Sequence, residues 1–410
     1  MTAPAFAFHM RRACVFACVL ALSEMRAEET PAPAAASGGA VVFQNGSEGF
    51  HTFRIPAAIT TKSGAVLAFG EGRVKSASDA GDIDLVLRRS EDGGQTWSPP
   101  QVIWNDGGNA CCNPCPVLVE ETGEIVLLAI WKHGGLHEKT FREGKNDPNG
   151  GSRPCVLRSR DEGRTWSAPE DISATADRPE WLWYAVGPGN GIELKRGAHQ
   201  GRLVIPANHS SLVDGQHQYN AHALLSDDRG KTWRISRGTI APGANESTVA
   251  ELNDGTLLFN TRMQTHGEGK RGIARSRDGG ETWADFHHDP HLTCPVCEAS
   301  LIRIEPPAGT AASAEKTESS TGSANIPADA APTWLLFSNP QGGGRSGLTV
   351  QLSPDSGATW PRRLLIDPGK SYGYSSLTVL DAHTIGILYE GAPGPTGGIL
   401  WKTFSLGDLR

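Results

Sequence analysis

Ser90-Glu91-Asp92-Gly93-Gly94-Gln95-Thr96-Trp97 is the first of five copies of one pattern, Ser-x-Asp-x-Gly-x-Thr-Trp. The others are Ser159–Trp166 (SRDEGRTW), Ser226–Trp233 (SDDRGKTW), Ser276–Trp283 (SRDGGETW) and Ser353–Trp360 (SPDSGATW). Five fixed positions recurring five times exclude coincidence, and starts 50 to 77 residues apart indicate a radial array or a solenoid. The pattern is turn chemistry. Asp accepts hydrogen bonds from nearby backbone N–H groups, Gly supplies a positive φ, and Trp anchors the turn by burying its ring. These aspartates are read as structural rather than catalytic.

Each copy follows a short strand-like run: Asp84–Arg89, Pro154–Arg158, Ala221–Leu225, Gly272–Arg275 and Leu348–Leu352. Each is therefore a hairpin tip between two strands of one sheet. Radial sheets of about four strands make a propeller, at roughly 40–50 residues per blade or more with insertions. The expected fold is all-β: a six-bladed β-propeller of four-stranded antiparallel blades over residues 40–410, one blade lacking the repeat. The runs Ser376–Leu380, Thr384–Tyr389 and Ile399–Phe404 form that last blade. Val41–Phe43 completes it and removes the sheet edge.

Composition sets outer limits. The 410 residues, 38% hydrophobic, are ample for a buried core, and Gly 49, Pro 27 and Trp 11 suit many short strands. A net charge of -7 without a long basic run argues against a nucleic-acid partner. Such a chain binds an anion only through a local arginine cluster. Arg11-Arg12, the apolar run Ala13–Leu22 and the small residues after it read as an export signal over residues 1–27, cleaved after Ser23 or Ala27. The run is too short to span a bilayer. The mature chain is expected to be exported, at the periplasm, the cell surface or outside, without a transmembrane segment. Residues 28–39 read as a flexible linker and 306–333 as a disordered insertion, being dominated by Ala, Ser, Thr, Glu and Pro. Cys112/Cys115 and Cys294/Cys297 have the spacing of zinc-ligand pairs, which would need the two pairs to meet. Disulfides or buried thiols are the preferred reading in an exported chain, and no metal is expected.

Phe53-Arg54-Ile55-Pro56 stands upstream of the first repeat. A FRIP motif followed by five Asp-boxes resembles the bacterial exo-α-sialidases over essentially all of residues 40–410. The resemblance implies removal of terminal sialic acid from sialylated glycans, glycoproteins or glycolipids, with retention of configuration and no cofactor. It implies that Arg54, Arg262 and Arg345 clamp the sugar carboxylate, which guanidinium forks match in geometry and charge. It assigns the nucleophile to Tyr374, with Tyr372 as fallback. A neutral phenol avoids the repulsion that a carboxylate would meet at an anomeric carbon already bearing one. Its pKa of about 10 then calls for an adjacent base. Glu246 matches the partner glutamate, and Glu251 fits less well.

The acid/base falls on the loop after Gly70-Glu71-Gly72-Arg73, where Asp79 matches and Asp82 and Asp84 compete. Arg73 is expected to reach the sugar hydroxyls and Glu390 to orient Arg54. Asn113 stands where some sialidases carry an aspartate, which affects fine specificity rather than the reaction. His209, His217 and His222 carry no assigned role. Three readings compete: a non-catalytic glycan- or protein-binding propeller, a trans-sialidase, and a hydrolase for a related nonulosonic acid. The first does not require Arg54, Asp79, Glu246, Arg262, Arg345 and Tyr374 together.

Overall fold

The computed structural model describes residues 1–2, 39–142, 151–306 and 331–410. The chain divides into two units, Met1–Ala32 and Pro33–Arg410, and the fold is that of the second. The expected signal (1–27) and linker (28–39) lie outside the described residues apart from Met1, Thr2 and Gly39. The insertion (306–333) does so apart from Pro306 and Ala331–Thr333. Thr333 is buried there, and its Oγ1 accepts the backbone N–H of Asn253 at 2.7 Å.

Four-stranded antiparallel units follow one another along the chain. The first blade is Thr52–Thr60, Val66–Arg73, Ile83–Ser90 and Gln101–Trp104; the second is Ala110–Leu118, Ile125–Lys132, Ser152–Ser159 and Glu170–Asp171. In the third, Tyr184–Val186 and Ile192–Glu193 share the inner position, followed by Leu203–Val213, Gln216–Ser226 and Arg234–Ile235. The fourth is Ala244–Glu251, Leu257–Met263, Lys270–Ser276 and Ala284–Thr293; the fifth is Ser300–Ile304, Trp334–Pro340, Ser346–Ser353 and Arg362–Lys370. The last holds Ser375–Val379, Thr384–Glu390 and Gly398–Ser405, and takes its outer strand, Ala40–Gln44, from the start of the unit. Hydrogen bonding makes five sheets of these six units, because one parallel pair, Ile83 with Ala110, links the first two blades.

The core explains why the strands are apolar on both faces. Val66 and Ala68 pack toward the last blade, while Leu67 and Phe69 pack toward the second. Side chains alternate across a strand, so a blade between two neighbours needs apolar residues at both parities. Six large clusters fill the six junctions, and the ring closes through Val42, Phe43, Ala68, Leu388 and Trp401.

The repeats lie between the third and fourth strands of five blades. In the second copy, Gly163 N donates to Ser159 Oγ at 2.8 Å, and Thr165 N donates to Asp161 Oδ1 at 2.8 Å. The fixed glycine has φ of 84°, and a Cβ there would stand 2.8 Å from Leu67 of the preceding blade. The residue is thus demanded by backbone and by contact alike. Trp166 packs into that same junction. The last blade has no copy for a topological reason. Its fourth strand comes from the other end of the unit, so no turn joins its third strand to it.

Candidate active site

A cavity of about 510 Å³ opens where the first strands of five blades begin, and Arg54, Asn113, Ala185, Glu246 and Tyr374 all line it. Three of these strands break register at that level: between Arg54 and Ala57, Cys112 and Cys115, and Ala244 and Ser247. A bulge re-aims the side chains around it. Ile55 and Asn113 take φ of 58° and 56°, each just before a proline. That conformation is an outlier for a β-branched residue. At Ile55 it is held by the backbone N–H, which donates to Glu390 Oε1 at 3.1 Å.

Buried Glu390 organises one wall. Its Oε1 accepts Arg54 Nε at 2.9 Å, and its Oε2 accepts Arg54 Nη2 at 3.3 Å and the backbone N–H of Tyr374 at 3.0 Å. One carboxylate therefore sets both a guanidinium plane and the backbone of the tyrosine. Burial works against the charge on Arg54, but Glu390, Tyr374 and Asp79 more than offset it, and its pKa lies above the ordinary arginine value.

Opposite, Tyr374 OH donates to Glu246 Oε1 at 2.5 Å, and Arg262 Nη1 donates to Glu246 Oε2 at 2.6 Å and to the phenol oxygen at 3.1 Å. Burial and then Glu246 raise the phenol pKa far above its ordinary value, opposed by Arg262, Arg54 and Arg345. The proton therefore rests on the tyrosine, with an acceptor already in line. Arg345 Nη1 and Nη2 donate to the carbonyls of Tyr372 at 2.8 Å and Val296 at 2.6 Å. Its guanidinium lies 5.5 Å from the centre of the Tyr374 ring. These partners are neutral, so its charge is left to act on the cavity.

Asp79 stands across the mouth on the loop 74–82, its side chain 76% exposed. Oδ1 lies 2.7 Å from Arg73 Nη1 and 3.5 Å from Arg54 Nη1. Desolvation pulls its pKa up, but Arg73 and Arg54 win and hold it below the usual carboxylate value. Arg73 is itself fixed by Glu71 Oε2, at 2.7 Å from Nη2 and 3.0 Å from Nε. Glu71 Oε1 accepts the backbone N–H of Asn113 at 2.9 Å.

The BNR repeat-like domain matches residues 64–387. A sialidase of Bacteroides fragilis is 32% identical over 86% of this chain and 62% of its own length. One of Micromonospora viridifaciens is 32% identical over 89% of this chain and 53% of its own. The chain thus spans little more than half to three-fifths of these two relatives. The solved structure of Hadza microbial sialidase Hz136 superposes with a TM-score of 0.77 at 32% identity, covering 91% of this chain and 69% of that one. The chain belongs to the sialidase family.

Within this sialidase-family propeller the structure separates the sequence candidates. Arg54, Arg73, Asp79, Asn113, Glu246, Arg262, Arg345 and Tyr374 line one cavity, with Glu390 directly behind. Tyr372 does not line it; its ring lies under Arg54, 4.5 Å from the guanidinium carbon. Glu251 sits at the far end of its strand, accepting the N–H groups of Lys195 and Arg196. Asp84 accepts Asn105 Nδ2 at 2.7 Å, outside the cavity. His209 and His222 are buried and face each other through Nδ1 at 3.0 Å. The six described cysteines are buried free thiols, and no group of three or more metal-ligating side chains occurs among the described residues. The sequence reading did not anticipate Glu71, Cys112, Lys132, Trp183, Asn208 and Asn245 as lining residues. Only Glu71 carried a signal, its place beside Arg73 in Gly70-Glu71-Gly72-Arg73.

Proposed function

We propose that this chain is an exo-α-sialidase that hydrolyses terminal α-linked sialic acid from glycoproteins or glycolipids with retention, through a tyrosyl-enzyme intermediate. The observation that carries this is the phenol of Tyr374, hydrogen-bonded to Glu246 at 2.5 Å in a cavity that also holds three arginines from separate blades. Arg54, Arg262 and Arg345 take the substrate carboxylate. As the Tyr374 oxygen bonds to the anomeric carbon, its proton passes to Glu246, and the glycosidic C–O bond breaks. Asp79, whose low pKa means that it must first take up a proton from solvent, gives that proton to the leaving oxygen. Asp79 then takes a proton from water, which displaces the phenol oxygen, and Glu246 returns the proton to Tyr374. No metal or organic cofactor enters these steps. Arg73 holds Asp79 and faces the sugar hydroxyls, and Asn113 contributes an uncharged polar contact. The run Ala13–Leu22 behind Arg11-Arg12 supports export as the setting in which such glycans are met.

Tyr374→Phe should lower turnover of 4-methylumbelliferyl α-sialoside by at least about a hundredfold, the scale of losing a nucleophile. Proton NMR of the wild-type reaction should show α-sialic acid as first product. Undiminished turnover by the variant, or β-sialic acid first, would overturn the proposal. Sialyl transfer to added lactose at the expense of free sialic acid would replace hydrolysis with trans-sialylation.

A further inference from the structure

Lys132 ends the strand Ile125–Lys132 of the second blade and is buried, yet it lines the cavity. Its Nζ donates to the main-chain carbonyl of Asp79 and lies 5.2 Å from the centre of the Trp183 ring. A buried ammonium usually meets a carboxylate. Here the hydrogen-bond acceptor is a carbonyl, and it belongs to the residue assigned as proton donor.

The loop carrying Asp79 has few other restraints. Val74 N donates to Asp82 O at 3.0 Å at its base, and Arg73 Nη1 donates to Ala77 O at 2.7 Å on its near side. The far side is held at Asp79 O by Lys132. The carboxyl itself is mostly exposed and is held on one side by Arg73 Nη1 at 2.7 Å, so its position over the scissile bond depends on that ion pair and on where the backbone is pinned. A displacement of about 1 Å at a reacting group is enough to cost on the order of a hundredfold in rate.

We propose that Lys132 is a positioning residue for Asp79, clamping the proton donor's backbone against the second blade with Trp183 as the opposing wall. This rests on the sialidase reading. Lys132 then matters most where the leaving group cannot depart without a proton. A sugar alkoxide needs that proton; a methylumbelliferyl phenolate does not. The ammonium also helps to hold the Asp79 carboxyl below its ordinary pKa, after Arg73 and Arg54. Removing it shifts the alkaline limb that Asp79 governs to higher pH.

The test compares Lys132→Met and the milder Lys132→Gln with the parent on 3'-sialyllactose and on the methylumbelliferyl sialoside. The loss of kcat on sialyllactose should exceed the loss on the aryl substrate by about tenfold or more. KM should hold within threefold, and the alkaline limb of kcat/KM should move upward. In an Asp79→Ala background either substitution should change sialyllactose turnover less than threefold, because Lys132 still meets the carbonyl of residue 79 but the carboxyl it positions is gone. Equal losses on both substrates, an unmoved limb, or an effect that survives without Asp79 would overturn the inference and leave the sialidase reading standing. A parent protein inactive on both substrates would sink that reading instead.

Discussion

Two oxygens of Glu390 accept four N–H groups, from Arg54 twice, Ile55 and Tyr374. An amide at this position must turn its NH2 end against at least one donor, and it leaves the buried Arg54 charge less compensated. Glu390→Gln should therefore lower kcat/KM for a sialoside by about 10–100-fold, or about 1.4–2.7 kcal/mol. Steady-state kinetics should show the larger part in KM, since under the proposed mechanism Arg54 would contact the carboxylate in ground and transition states alike. Arg54, Glu246, Arg262 and Tyr374 were legible beforehand because each sits in a short run with a recognisable neighbourhood, FRIP being the clearest. Lys132 was not legible. It follows an apolar run and reads as a surface lysine capping a strand, and only the cavity shows that its head turns inward. Trp183 was hidden in the same way, by belonging to a loop without internal pattern.

Among the elements, the third blade carries a pH response of its own. His209 stacks on Trp181 at 3.7 Å and meets His222 through facing Nδ1 atoms 3.0 Å apart, a bond in which one ring donates and the other accepts. Burial lowers the pKa of His209 to about 3, and that of His222 falls well below the ordinary value through burial, His209 and Arg178. Protonating both rings would set two N–H groups against each other. The unfolded chain takes up these protons near pH 6.5, whereas in the native chain His209 does so only near pH 3 and His222 only well below its ordinary range. The stability held by the neutral pair is thus complete above about pH 6.5 and lost as pH falls, at up to about 1.4 kcal/mol per pH unit for each histidine. Asp177 acts in the opposite sense. Burial raises its pKa to about 6, so its protonated form favours the fold below that value and the contribution fades as pH rises. Urea unfolding at pH 7, 6 and 5 should show falling stability, and Asp177→Asn should make the fall steeper. A flat profile in both proteins would show that the pair does not titrate as its burial requires. The five repeats are elements of another kind, whose Ser, Asp and Thr side chains make the same turn bonds in every copy, which is why they could be read from sequence alone. The histidine pair could not be, since the two rings meet only through the register of a hairpin.

For the molecule as a whole, stability depends on closing the ring. Phe43 is fully buried, its ring 5.2 Å from that of Phe53 in the first blade, while its backbone pairs with Ile399 in the last. Phe43→Ala should cost about 3–5 kcal/mol. Because one junction loosens both blades beside it, guanidinium unfolding should shift to lower midpoint as a single transition. A separate early transition confined to the last blade would contradict this. Six blades could be counted from five repeats and a remainder, because the spacing leaves room for one unit more than it marks. The parallel bridge between the first two blades could not be read, since it rests on a single residue pair without side-chain signature. Ser405 ends the third strand of the closing blade, and Ala40 begins the strand that lies antiparallel beside it. The geometry matches the third-to-fourth-strand junctions that carry a repeat elsewhere. A circular permutant joined from Ser405 to Ala40 by a Ser-x-Asp-x-Gly-x-Thr-Trp turn, and opened at another such hairpin, would keep every inner strand in place. The order of blades along the gene is therefore exchangeable, whereas their order around the axis is not.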